Sequence, residues 1–161
     1  MPIDIGKLKE MASRRAAARE HTVMVVDDEP LITESMAMML EDEYEVIQAD
    51  CGETALNLLL DGDVAQRVSL IVSDQRMPGM SGVDFLREVA SRFPAITRMM
   101  VSGHMDFQDL VGAINESHVH FFMAKPVHYD DLRATIQRGI ELYERGMAPY
   151  RRIQELEQRR P

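Results

Sequence analysis

Lysine is scarce in this chain, cysteine scarcer still, and long apolar runs are missing; each shortage closes off a possibility. The single cysteine, Cys51, excludes an internal disulfide. No stretch approaches the roughly 18 consecutive apolar residues that a membrane helix needs. Met1 to Glu20 holds no apolar run of the kind a secretory signal uses. A cytoplasmic protein, not membrane-bound, is therefore expected. At 161 residues, 45% hydrophobic and 28% charged, the chain has material for one core and some length to spare.

The net charge of −9 is unevenly spread. Residues 1–20 carry five basic and three acidic side chains, and residues 146–161 carry four and two. The body between them holds nine basic against 22 acidic groups. Such a body repels nucleic acid, so direct DNA or RNA binding is not expected, whereas a cation would be welcome. Simple solubility would favour the same balance.

Short β-rich runs alternate with amphipathic helical patterns through the middle of the chain. Thr22–Val26, Tyr44–Ala49, Ser69–Val72, Ile96–Val101 and His120–Met123 read as strands. Pro30–Glu41, Glu53–Leu60, Val83–Arg92, Phe107–Glu116 and Asp130–Arg145 read as helices. Pro94 stops the third of these helices. Five βα units in about 125 residues predict an α/β fold: a five-stranded parallel sheet, doubly wound by right-handed crossovers, with helices on both faces. Functional groups in such sheets gather where the strands end, beside a topological switch point.

The residues at those ends are informative. Asp27, Asp28 and Glu29 follow the first strand, and Asp74 follows the third. Ser102-Gly103 follows the fourth and Lys125-Pro126 the fifth. Parallel strands put all of them on one edge, so three carboxylates, a hydroxyl and an ammonium converge. Carboxylates held that close raise one another's proton affinity unless a cation sits among them. Magnesium suits the oxygen-only set. An aspartate can itself attack phosphorus, and transfer then needs positive charge on the phosphoryl oxygens. Lys125 is the only lysine between Lys9 and the C-terminus, a compact point charge where every other basic residue of the body is arginine.

Each element also has a plain reading. An Asp-Asp pair after a strand is often a helix cap, Ser-Gly is usually a turn, Lys-Pro is a common loop dipeptide, and Asp74 before Pro78-Gly79 could be a turn former. Their joint occurrence, each at the correct end of the correct strand, favours chemistry.

Val25-Val26-Asp27-Asp28-Glu29-Pro30, the run Asp74 to Gly82, Ser102-Gly103 and Lys125-Pro126 resemble the four signature sites of response-regulator receiver domains of two-component, phosphorelay signalling. The resemblance covers roughly residues 21–145 and implies the flavodoxin-like strand order 2-1-3-4-5. It implies that Asp74 is the phosphoacceptor, taking the group from a sensor histidine kinase or a phosphotransfer protein. It implies Mg²⁺ held by Asp28, Asp74 and the backbone carbonyl of Arg76, with Asp27 acting through water. It implies that Ser102 and Lys125 grip the phosphoryl oxygens and that Phe122 is a mobile aromatic. Phosphorylation is then expected to draw Ser102 inward, let Phe122 follow, and alter the surface of the fourth helix, fifth strand and last helix. The Arg76 and His104 side chains are candidates for modulating the phosphoryl lifetime, or else simply face solvent. The Lys125-Pro126 peptide is expected to be cis. The lysine must turn sharply to aim back at the pocket, and an X–Pro bond lowers the cost of cis to about 0.5–1 kcal/mol.

The ends lie outside the resemblance. Residues 1–20 form an extension, with Lys7–Arg19 helical in composition. Leu132, Ile136, Ile140 and Tyr143 mark an apolar helical face. Gly146 and Pro149 are expected to interrupt it before Arg151–Arg160 resumes helical composition. Residues 146–161 are thus a helical tail or the start of a linker to an output domain, and the chain is either a single-domain regulator or the front of a longer one. A homodimer through the terminal helical segments is expected, with frayed tails as the plain alternative.

Two other functions compete. A phosphatase working through an aspartyl phosphate would have Asp-x-Asp after the first strand; here Asp27 is followed at that spacing by Glu29, and the Asp74 and Lys125 loops would be unexplained. A phosphorylation-independent adaptor would be expected to show an eroded site, and every essential group is present. A signalling domain rather than an enzyme is the reading adopted.

Overall fold

The computed structural model describes residues 4–18, 20–103 and 107–159. Its elements are α1 (Ile5–Ala18), β1 (Thr22–Val26), α2 (Pro30–Leu40), β2 (Glu45–Ala49), α3 (Gly52–Leu60), α4 (Gly62–Arg67), β3 (Val68–Asp74), α5 (Gly82–Arg92), β4 (Thr97–Ser102), α6 (Phe107–Ser117), β5 (Phe121–Ala124) and α7 (Tyr129–Gln158).

The strands form one parallel sheet in the order β2-β1-β3-β4-β5. The order reverses beside β1 and β3, so the loops after those two strands open onto the same crevice. Alternation along each strand sorts the core into two layers. Val23, Val25, Leu70, Val72, Met99 and Val101 face Met36 and Leu40 of α2 and Leu132, Ile136 and Ile140 of α7. Met24, Val26, Ile71 and Met100 face Leu59 of α3, Phe85, Leu86 and Val89 of α5 and Ala113 of α6. Complete burial of side chains such as Phe85 and Leu86 contributes about 2–3 kcal/mol apiece. The fold is therefore doubly wound, as the alternating pattern requires. β1, β3 and β4 are buried throughout, while β2 and β5 form the half-exposed edges.

Local chemistry sets the boundaries. Pro30 opens α2 at a position where its missing N–H costs nothing. Ser81 caps α5 by accepting the Asp84 N–H at 3.1 Å. Two features depart from the sequence reading. The short helix α4 was not expected; Asp61 ends α3 and immediately caps α4 by accepting the Asp63 N–H at 3.2 Å. The interruption expected at Gly146 and Pro149 does not occur, for α7 runs unbroken over 30 residues with Pro149 inside it. There Arg151 reaches back across the proline to Glu144, at 2.7 Å and 3.3 Å, and ties the two halves of the helix together. Among the described residues no helix is long and apolar enough to cross a membrane.

Candidate functional site

Each strand end delivers its residue as the pattern demanded. β1 hands over to Asp27, 2% exposed, whose own N–H donates to the Ala49 carbonyl at the end of β2 (3.2 Å). One carboxylate oxygen of Asp27 accepts the Glu29 N–H at 2.9 Å, shaping the turn into α2. Its other oxygen accepts from the Lys125 ammonium at 3.0 Å. Asp27 thus shapes the turn with one oxygen and meets the ammonium with the other; it does not cap α2, whose N-cap position is Glu29.

Asp74, 7% exposed, closes β3 and accepts from the same ammonium at 3.1 Å. The Lys125–Pro126 peptide is cis, as expected, and the Lys125 N–H donates to the Ser102 carbonyl at 2.9 Å. That bond also ties the end of β5 to the end of β4 and brings Ser102, itself buried, to the same edge. Asp28 is exposed at the mouth, and oxygens of Asp27, Asp28 and Asp74 lie within 4.8 Å of one another.

Electrostatics follow from this packing. Burial raises the Asp74 carboxyl above its ordinary value, and the Asp27 charge pushes the same way; hydrogen bonds from Lys125 and from the Gln75 N–H offset only part of it. Burial alone would lower Lys125, but its bonds to Asp27 and Asp74 outweigh that and hold it above its usual value. Asp27 and Asp74 therefore share one ammonium, with the Asp28 carboxylate beside them. The donor set is oxygen only and carries excess negative charge, which fits a magnesium ion.

The remaining expected residues are less tightly placed. Phe122 lies on β5 in register with Met100, half-buried against the layer that contains Met100 and Ala113. The Arg76 side chain is exposed two residues beyond Asp74. His104 lies outside the described residues. The sequence reading missed two fasteners of the loop between β3 and α5. Gln75 accepts the Val83 N–H through its side chain at 2.9 Å, and Glu53 accepts the Met80 N–H at 3.0 Å. Neither carries a sequence signal, since each bond depends on where separate elements come to rest.

Comparison with known proteins agrees with this geometry. Residues 23–137 match the response regulator receiver domain family. Over 123 residues the chain is 37% identical to the hydrogenase transcriptional regulatory protein HoxA of Cupriavidus necator, covering 76% of this chain and 25% of that one. The chain thus spans about a quarter of that relative's length. A response regulator receiver domain protein from Clostridium thermocellum superposes with a TM-score of 0.69 at 28% identity, over 75% of this chain and 94% of that one. An adenylate cyclase structure from Rhodopirellula baltica does so with a TM-score of 0.75 at 27% identity, over 88% and 99%. With its family match across most of the chain, its sheet order and its strand-end residues, this protein belongs to the response regulator receiver domains of two-component signalling.

Proposed function

We propose that Asp74 accepts a phosphoryl group from the phosphohistidine of a sensor kinase or phosphotransfer protein, in the cytoplasm, and that the group's arrival changes the surface formed by α6, β5 and α7. The observation that carries this reading is the Asp74 carboxylate, almost buried yet reachable, sharing the Lys125 ammonium with Asp27. One Asp74 oxygen attacks phosphorus, the bond from phosphorus to the donor's imidazole nitrogen breaks, and that nitrogen takes up a proton as it leaves. Lys125 neutralises charge on the transferring oxygens without changing place, since it already lies 3.1 Å from Asp74. Asp27, Asp28, Asp74 and the Arg76 carbonyl would hold Mg²⁺, which supplies the further positive charge that transfer needs.

Ser102 binds the new phosphoryl oxygens through its hydroxyl, and Phe122 follows into the space it leaves. The coupling between the two states is worth about 1–3 kcal/mol. The Arg76 side chain, free in solvent, pairs with the phosphoryl group and lengthens its life, and His104 stands two residues beyond Ser102 as the second such candidate. Incubation with acetyl phosphate and Mg²⁺ tests the reading. The wild-type chain should gain one phosphoryl group, Asp74→Asn none, and Asp28→Ala one only at much higher Mg²⁺. Undiminished labelling of Asp74→Asn would sink it.

A second copy of the chain is the other partner we propose, supported by the unbroken α7 with Tyr150, Ile153 and Leu156 exposed along its distal half. Sedimentation of the full chain against residues 21–145 decides this, two monomers being the result against it.

A further inference from the structure

The loop from Gln75 to Ser81 has Asp74 at its root and must present the Arg76 carbonyl at a set place, so its fastenings bear on the site. At its base the Gln75 N–H donates to the Val101 carbonyl at 3.3 Å, and the Gly82 N–H donates to the Gln75 carbonyl at 3.0 Å. A β-carbon on Gly82 would lie 2.2 Å from the Asp74 carbonyl oxygen, so glycine there lets α5 start directly against the acceptor residue. At the tip, Pro78 and Gly79 reverse the chain, with Gly79 at φ +77°. The next N–H, that of Met80, goes outside the loop. It donates to the Glu53 carboxylate in the first turn of α3, at 3.0 Å and 27 residues away in sequence.

This contact is shaped from both sides. A β-carbon on Gly79 would come within 2.8 Å of the same Glu53 oxygen. One on Gly52 would meet the Met80 sulfur at 3.0 Å and the Phe85 Cβ at 3.2 Å. Glycines at 52 and 79 therefore let the start of α3 close onto the loop tip. Hydrogen bonds from Glu53's own N–H and from Met80 hold this carboxyl below its ordinary value, so it stays a charged, strong acceptor near neutral pH.

We propose that Glu53 is a positioning residue for the acceptor site: by holding Met80 it fixes the tip of the 75–81 loop, and with it the Arg76 carbonyl, where a cation among Asp27, Asp28 and Asp74 can use it. The inference rests on the acceptor reading given above. Glu53 touches neither phosphoryl group nor ion; it acts through the loop backbone. Glutamine at this position keeps an oxygen to accept the Met80 N–H, and alanine keeps none.

The test uses the full chain, isotope-labelled, as wild type, Glu53→Ala and Glu53→Gln. Amide exchange at Met80 is measured in metal-free protein. Mg²⁺ affinity is then read from amide shifts of Asp28 and Arg76, and acetyl phosphate labelling is followed at limiting and saturating Mg²⁺. In Glu53→Ala the Met80 amide should exchange faster, Mg²⁺ affinity should fall about fivefold, and labelling should slow only when Mg²⁺ is limiting. Glu53→Gln should stay within about twofold of wild type in all three. A Glu53→Ala chain that binds Mg²⁺ as tightly as wild type, or a Glu53→Gln chain as impaired as alanine, overturns the proposal alone. If wild type takes up neither Mg²⁺ nor phosphate, the acceptor reading falls and this proposal falls with it.

Discussion

At the amino ends of the strands, Arg98 is 5% exposed and every direction it points in is answered. It donates to the carbonyls of His118 (3.1 Å), Pro94 (3.2 Å) and Ile96 (2.9 Å), while His120 accepts the Arg98 N–H at 3.0 Å. His21, also buried, meets the Ser69 hydroxyl at 2.8 Å and Glu144 at 3.0 Å. At the carboxyl ends of the same strands, Asp27 and Asp74 share one ammonium and Asp28 lies beside them. Both edges bury charge, but the amino edge answers its buried cation with carbonyls, whereas the carboxyl edge gathers three carboxylates beside one ammonium. Burial of charge is thus no sign of function in this fold; like charges gathered together are. Hydrogen-bonded groups at the amino edge stabilise the sheet, and the surplus of negative charge at the carboxyl edge costs stability, a cost that the proposed cation and acceptor roles would explain.

The largest expected effect comes from opening the satisfied edge. Arg98→Ala strips a donor from three carbonyls and should destabilise the fold by about 3 kcal/mol in urea unfolding. The Mg²⁺-dependent labelling of the folded fraction should stay unchanged. A loss of labelling per folded molecule would show that the two edges are not independent.

The opposite sign is expected at Asp74. Because the folded state raises the Asp74 pKa above its ordinary 3.8, its ionisation works against folding. That penalty is absent below pH 3.8 and grows until the pH has passed the raised value. Asp74→Asn should therefore stabilise the metal-free chain at pH 7 by about 1 kcal/mol, or a rise in Tm of about 3 °C. The gain should vanish in acid and shrink when Mg²⁺ is added, since the ion relieves the same repulsion in the wild type. A destabilised Asp74→Asn chain would remove the ground for calling this edge under-compensated.

The smallest effect separates the edges by pH. Burial lowers the pKa of both His21 and His120 from the ordinary 6.5, with Glu144 opposing it at His21 and Arg98 reinforcing it at His120. Stability from these neutral rings is fully present above pH 6.5 and is lost as pH falls toward their depressed values. His21→Gln with His120→Gln should flatten thermal stability between about pH 6.5 and 5 by a few tenths of a kcal/mol. An unaltered slope would mean that neither ring titrates against the fold.

The same contrast separates what can be read from the sequence from what cannot. The carboxyl edge was legible because each strand end is a local event: Val25-Val26 followed by Asp27-Asp28, Val72 by Ser73-Asp74, and Met123 shortly followed by Lys125-Pro126. Parallel strands then bring them together without further information. The amino edge was not legible. His21 finds Ser69 and Glu144, and Thr97 donates to the Gly139 carbonyl at 2.8 Å, because α7 settles on the sheet at one particular height. A β-carbon at Gly139 would lie 2.2 Å from Leu70, and nothing in the local pattern announces that approach. Helix α4 escaped notice because Asp61-Gly62-Asp63 reads as a turn, while the Asp61 side chain makes it a cap. Pro149 read as a break, but it falls beyond the last buried residue of α7, Tyr143, and the Arg151–Glu144 pair spans it.

The claim on which the rest depends is that the surplus carboxylate at the carboxyl edge is a phosphoryl acceptor at Asp74. Its most direct test is to treat the wild-type chain with acetyl phosphate and Mg²⁺, reduce with borohydride, and locate the modified residue by tandem mass spectrometry. An acyl phosphate at Asp74 is reduced to homoserine, so the account predicts homoserine at position 74 and nowhere else. Reduction at Asp27 or Asp28, or no reduced residue at all in a chain that binds Mg²⁺, would contradict it.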